Sequence, residues 1–167
     1  MASNQHDEAV RLATELVGHC ASLTISTVNG DGQPLASYAP YYRDCNGHVF
    51  IFVSTLSAHT QNLLGGNASI LIIEDESQCK QIFARKRVVF QCKCFAVPPT
   101  HAEFSAILDK LDERHRDRNG DIVNTLKGLA DFILVRLEPQ SGSFVMGFGQ
   151  AYTIDAKITS AEPVMPA

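Results

Sequence analysis

The residues best suited to chemistry lie between Phe50 and Val97. Ser54, Ser57, His59 and Thr60 crowd the start of a short helical pattern over 54–66, with Ser57 placed as N-cap and Gly65-Gly66 as its stop. Hydroxyls and free amides there receive a phosphate or carboxylate, and serve equally well as ordinary caps. An acidic loop, Glu74-Asp75-Glu76, is followed by Lys80, Arg85, Lys86 and Arg87, where the charge changes sign. Framed by Ile82-Phe83-Ala84 and Val88-Val89-Phe90, these cations either turn into a partly buried place or guard a strand edge. Asp131 stands before the most apolar strand, positioned to orient a ligand or to cap a loop. An anionic ligand with a large flat body needs such a set, so a cofactor pocket is the first expectation.

No nucleophile and base occur in a recognised spacing: Gly-x-Ser-x-Gly, His-Glu-x-x-His and a phosphate loop are all missing. An enzyme built on this chain borrows its reactivity from a cofactor, and no catalytic side chain is assigned. Cys92 and Cys94 put both sulfurs on one strand face, yet no second pair follows at ligand spacing. They read as small buried residues, and no metal ligand is assigned.

The elements that must hold these residues follow from periodicity. Val10, Leu12, Ala13, Leu16 and Val17 mark an amphipathic helix over 7–20, with Ser3 or Asn4 able to cap. Residues 21–28 alternate as a strand, Asn29-Gly30-Asp31-Gly32 turns, and 34–42 returns. A second turn at 44–47 leads to a strand over 48–54, so three strands form a meander. Strands follow at 69–73 and 88–97. Pro98-Pro99 ends the latter, and Thr100 caps a helix with Phe104, Ile107, Leu108 and Leu111 on its apolar stripe. A short helix over 122–129 precedes an apolar strand over 131–137; Ser141-Gly142 then turns the chain into a return strand, and a glycine-interrupted strand runs to Tyr152. Hairpin-joined strands with segregated helices describe an antiparallel barrel with flanking helices, mainly β in an α+β arrangement. Residues 1–155 form the domain and 156–167 read as a mobile tail.

Composition sets the outer bounds. The 167 residues suffice for one domain with a real core, and 45% hydrophobic with 19% charged is globular composition. A net charge of -4 argues against nucleic acid as the main partner. No apolar run is long enough for a membrane span, the N-terminus lacks a secretion pattern, and five cysteines form no disulfide framework. A cytoplasmic protein is expected.

The segments SYAPYY at 37–42, VSTLSAHTQNL at 53–63, IIEDESQCKQIFARKRV at 72–88, LADFILVRLEP at 129–139 and FVMGFGQAYTI at 144–154 resemble the HugZ/HutZ family of haem-utilisation proteins. That family lies in the wider split-barrel, flavin-binding superfamily that includes pyridoxamine 5′-phosphate oxidase. The resemblance implies a split barrel of six or seven strands and a homodimer with two ligand sites along the subunit interface. It also implies haem binding and oxidative opening of the haem ring, with electrons supplied by an external donor. FMN-dependent oxidoreduction and non-catalytic haem carriage are the alternatives. On this pattern His59 and Arg85, Lys86 and Arg87 surround the ligand, the cations facing haem propionates or the phosphate of FMN. Asp131 falls where such proteins carry an acid that helps position the iron ligand. The family's proximal ligand is a histidine in the C-terminal tail, and no histidine follows His115 in this sequence.

Overall fold

The computed structural model describes residues 2–164, with side chains from Asn4 onward. Helix α1 (Ala2–His19) buries Ala9, Ala13, Leu16 and Val17, one stripe at helical spacing. Ser3 and Asn4 fall inside it rather than at its cap. Among the described residues nine strands form one antiparallel sheet: β1 (Ser22–Val28), β2 (Pro34–Pro40), β3 (Tyr42–Arg43), β4 (Val49–Ser54), β5 (Asn67–Ile73), β6 (Arg87–Val97), β7 (Phe132–Gly147), β8 (Gln150–Ile154) and β9 (Ala161–Pro163). Seven of them have five or more residues. Helices α2 (Ala58–Leu63), α3 (Phe104–Asn119) and α4 (Ile122–Lys127) flank the sheet.

The hydrogen-bonded order is β2-β1-β5-β6-β7-β4-β3. Its two edges are consecutive in the chain, because β2 runs through fully buried Tyr41 straight into β3. This link rolls the sheet into a split barrel. The expected meander is present with a break in its middle strand: β1 and β2 form the first hairpin, β3 and β4 form the second across the 44–47 turn, and β4 pairs on its other side with β7. Alternate residues point inward, and Ile25, Ile70, Ile72, Val88, Phe90 and Phe144, all shut off from solvent, fill the interior. A smaller core lies outside, where Ile107, Leu108 and Leu111 of α3 cover Phe50, Val97 and Leu134.

Strand β7 is the spine of the molecule. Ser141-Gly142, expected to turn, stays in the strand. A Cβ on Gly142 would lie 2.6 Å from the Phe90 ring, so the glycine serves close packing between strands rather than chain reversal. The register shifts between Gln91 and Cys92, where Gln140 is the extra residue and Pro139 faces Cys92. The reversal comes later, at Phe148-Gly149, where Gly149 takes φ of +67°. Thr100 is also displaced from its expected role: α3 starts at Phe104, and His101 Nδ1 accepts from the Glu103 amide at 3.2 Å.

The expected tail is ordered over 156–164. Asp155 accepts from the amides of Lys157, Thr159 and Ser160, Arg43 donates to the Ala156 carbonyl at 2.9 Å, and Ile158 and Ala161 are buried. These bonds hold its carboxyl down to about 2 against the opposing effect of burial. Strand β9 then pairs with β8. The rest of the expected tail, 165–167, lies outside the described residues.

Candidate functional site

The eight residues singled out in the sequence form two groups at opposite ends of β7. Ser54 is paired with Phe132, and Arg87 with Val145. Twelve residues lie between those positions, up to roughly 40 Å of extended strand.

The first group is built where β4 runs into α2. Ser54 Oγ donates to Asp131 Oδ2 at 2.5 Å and accepts from the Leu56 amide at 3.1 Å. The Thr55 amide donates to the Asp131 carbonyl at 2.7 Å, which fastens the β4–α2 turn to the start of β7. Thr60, fully buried, donates to the Ser54 carbonyl at 2.7 Å. Its hydroxyl is thus a structural pin. Ser57 occupies the N-cap position with no side-chain cap bond, and α2 has only six residues, too few for a strong helix dipole.

His59 is half-buried in this group, yet its Nε2 is buried without any hydrogen-bond partner. Burial pushes its pKa below 6.5, so the imidazole is held neutral. Two large apolar side chains are uncovered on the segments that the Thr55–Asp131 bond joins: Leu56 is 86% exposed and Leu129 is 47% exposed. Sequence reasoning passed over both leucines, since hydrophobic residues signal a site only when the fold leaves them uncovered.

The second group is mostly neutralised by the acidic loop. Arg85 donates Nε and Nη2 to the Glu74 carbonyl and Nη1 to Glu76 Oε1 at 2.9 Å. Lys86 Nζ lies 2.6 Å from Glu74 Oε1. Arg87 donates only to the Arg85 carbonyl, at 3.1 Å, and among the described residues it has no carboxylate partner. Of the three, its charge is the one left for a ligand. Beside it, Phe83 is 81% exposed and Phe148 is 69% exposed.

Between these ends, one face of the sheet is bare. Tyr38, Thr24, Leu71, Val89, Ser143 and Thr153 line up in register across β2, β1, β5, β6, β7 and β8 without a charged residue. Ala36, Ser26, Ser69, Gln91 and Ser141 form a second such row. A groove of about 690 Å³ opens beside this second row, lined by Ser26, Asn62, Ser69, Gln91 and Lys93. Another, of about 700 Å³, lies between α1 and the acidic loop. Neither includes Ser54, His59, Arg87 or Asp131. Among the described residues no cluster of three or more His, Cys, Asp or Glu side chains forms a metal site, and no helix is long and apolar enough to cross a membrane. Cys92 and Cys94 lie inside the barrel, where burial raises their thiols to about 12 and about 11, far from reactive thiolates.

This rolled sheet, with its helices and its bare face, is the architecture of a known class. Residues 10–146 match the pyridoxamine 5′-phosphate oxidase family, and the chain belongs to that family, within its HutZ group. It is 38% identical over 134 residues to heme oxygenase HutZ of Vibrio cholerae serotype O1, covering 80% of this chain and 73% of that protein. The crystal structure of HutZ, described as the heme storage protein of Vibrio cholerae, superposes with a TM-score of 0.73 at 33% identity, covering 83% of this chain and 96% of that one. ChuZ of Campylobacter jejuni superposes with a TM-score of 0.81 at 29% identity, over 92% of this chain but only 61% of ChuZ.

Proposed function

We propose that this protein binds haem in the seam between two copies of itself and serves haem utilisation by oxidative opening of the ring with release of iron. The observation that carries this is the 38% identity to heme oxygenase HutZ, spread over 80% of the chain. The site's chemistry supports it. Haem needs flat apolar contact and cations for its propionates; uncovered Leu56 and Leu129 and unpaired Arg87 are groups of those kinds.

The bare sheet face favours a second copy, because charge-free rows with exposed apolar side chains are what interface centres are made of. A two-fold axis crossing β7 turns the strand end for end. It sets the Arg87 end of one copy beside the Ser54–His59 end of the other and makes two equivalent sites. In each site Arg87 would hold a propionate, Leu56 and Leu129 would supply apolar contact and exclude water, and Asp131, held by Ser54, would keep a carboxylate nearby. Bound haem supplies the redox-active iron that meets oxygen, with electrons from an external donor. With thiols free and no disulfide, a reducing cytoplasm suits the chain.

A second reading is favoured by the family match itself: a flavin-binding oxidoreductase with the FMN phosphate on Arg87. Titration with haem and with FMN in parallel, followed by reductant in air, separates them. A haem absorption band that decays with release of iron supports oxidative degradation. Stable haem without turnover makes the protein a carrier, and tight FMN binding alone makes it a flavoprotein. Mixing Arg87→Ala and His59→Ala proteins tests the shared site: hybrid dimers regain one intact site each, and no recovery places both residues in one copy's site.

A further inference from the structure

We infer that the groove beside the second row of the sheet face is a binding site for a sugar carrying one acidic group, with Lys93 on the acid and a set of carboxamides on the hydroxyls. None of the residues proposed to hold haem lines this groove, so the two sites are separate. It opens between the end of β1, the C-terminal end of α2, the start of β5 and the middle of β6. Its volume of about 690 Å³ falls within the range of about 300–1,000 Å³ usual for small-molecule sites. Hydroxyl and amide side chains dominate the lining, the composition of the wet rim of an interface rather than of its apolar centre, which leaves the groove open at the edge of a paired molecule.

What the lining offers a ligand follows from the bonds its side chains already make. Asn62 donates Nδ2 to Thr27 Oγ1 at 3.0 Å, Gln91 donates Nε2 to Ser69 Oγ at 3.4 Å, and Gln140, the extra residue of the β7 bulge, donates Nε2 to the Glu138 carbonyl at 3.1 Å. In each, the protein holds the nitrogen and the carboxamide oxygen has no partner among the described residues, so three acceptors are left. Asn29 is the reverse: its Oδ1 accepts from the amides of Asp31 and Gln33, and its Nδ2 is free to donate. A polyol answers both kinds of group, since each hydroxyl donates and accepts. Lys93 has no carboxylate partner among the described residues; Glu138, across the strand pair from it, is bound to Arg136 at 2.9 Å. Among the described residues no acidic side chain lines the groove, so nothing there competes for that ammonium. Val28, 58% exposed, and Pro34 supply contact for the C–H face of a sugar, while the lining has no aromatic ring to stack on a base or a flavin.

The test uses the full chain and four probes: ribose 5-phosphate, glucuronate, ribose and inorganic phosphate. In calorimetric titrations at least one of the two acidic sugars should bind saturably, with ribose and phosphate each weaker by about tenfold or more. The side-chain amide signals of Asn62 and Gln91 should move in nitrogen–proton NMR spectra as that sugar is added. Lys93→Ala should weaken its binding by about tenfold, to the level of ribose, and Gln91→Ala should weaken it by less. Both side chains are exposed, so both variants are expected to fold, which circular dichroism checks. Haem and FMN titrations of Lys93→Ala should match those of the parent protein. Phosphate that binds as tightly as ribose 5-phosphate, with glucuronate inert, reduces the groove to a bare anion contact and overturns the assignment. An acidic sugar whose affinity neither variant changes overturns it as well, as does the absence of saturable binding by both sugars. Loss of haem or FMN binding in Lys93→Ala would merge the two sites and overturn their separation.

Discussion

At the β4 end of β7, Asp131 and Ser54 share one short hydrogen bond, and the side chains around them are apolar, half-buried or unpartnered. At the β8 end three consecutive cations meet an acidic loop that takes up Arg85 and Lys86 and leaves Arg87. The first end is sparse in charge but has unmet bonding capacity, whereas the second is dense in charge but nearly self-satisfied. Binding potential is thus measured by what the fold leaves unpaired. A row of cations in the sequence is no guide until its counter-ions are located.

The comparison breaks most completely if the strand that spans both ends fails. Phe144 is fully buried in β7, and Phe144→Ala should destabilise the protein by about 3–5 kcal/mol in denaturant unfolding. A cost below about 1 kcal/mol would mean that β7 is not the spine described.

A smaller effect sharpens the contrast within the cationic run. Arg87→Ala should weaken binding of an anionic cofactor by about 1–3 kcal/mol while leaving unfolding stability within about 0.5 kcal/mol. Arg85→Ala should do the reverse: it frees the Glu74 carbonyl and Glu76, costs about 1–2 kcal/mol of stability and changes affinity little. Equal affinity losses in calorimetric titrations of the two variants would erase the distinction.

At the other end, Asp131→Ala removes the partner of Ser54 Oγ, and about 1–2 kcal/mol should be lost on unfolding. Ser54→Ala in the same background should then add little, because the two side chains form one unit. Full additivity would show that they act separately.

The smallest effect is the pH dependence. His59 and His115 both have pKa values lowered from 6.5, chiefly by burial. Between the folded and unfolded values the unfolded chain binds the extra protons, so stability is full above about 6.5 and falls as the pH drops toward the folded values. His115→Gln should flatten that fall in denaturant titrations at neutral and mildly acid pH, and His59→Gln should flatten it less, since His59 is the more exposed. An unchanged slope in both would place the acid sensitivity elsewhere.

Much of this was legible in the residues. Alternation in 21–28 and 88–97, the Asn29-Gly30-Asp31-Gly32 turn and the Phe104, Ile107, Leu108, Leu111 stripe placed their elements to within a few residues, because period and turn chemistry are local. Ser141-Gly142 misled for a local reason as well: a Ser-Gly pair signals a turn, and only the Phe90 ring across the strand pair shows why glycine is needed there. Residues 156–164 looked like a tail because their order depends on Arg43, distant in sequence, and on a return of the chain onto β8 that no alternating pattern announces.

The sequence by itself determined most of the segments that become strands and helices, β9 and the continuity of β7 excepted, and that the molecule carries hydroxyls, an imidazole and a cationic run. It also determined the family, since motifs along most of the chain are retained in order. The tertiary structure alone decided that those groups sit at two ends of β7, that Arg85 and Lys86 are consumed by Glu74 and Glu76, and that His59 Nε2 has no partner. The reason is physical: a side chain's type is fixed by its own residue, while its free bonding capacity is set by neighbours that only folding brings within a few ångströms.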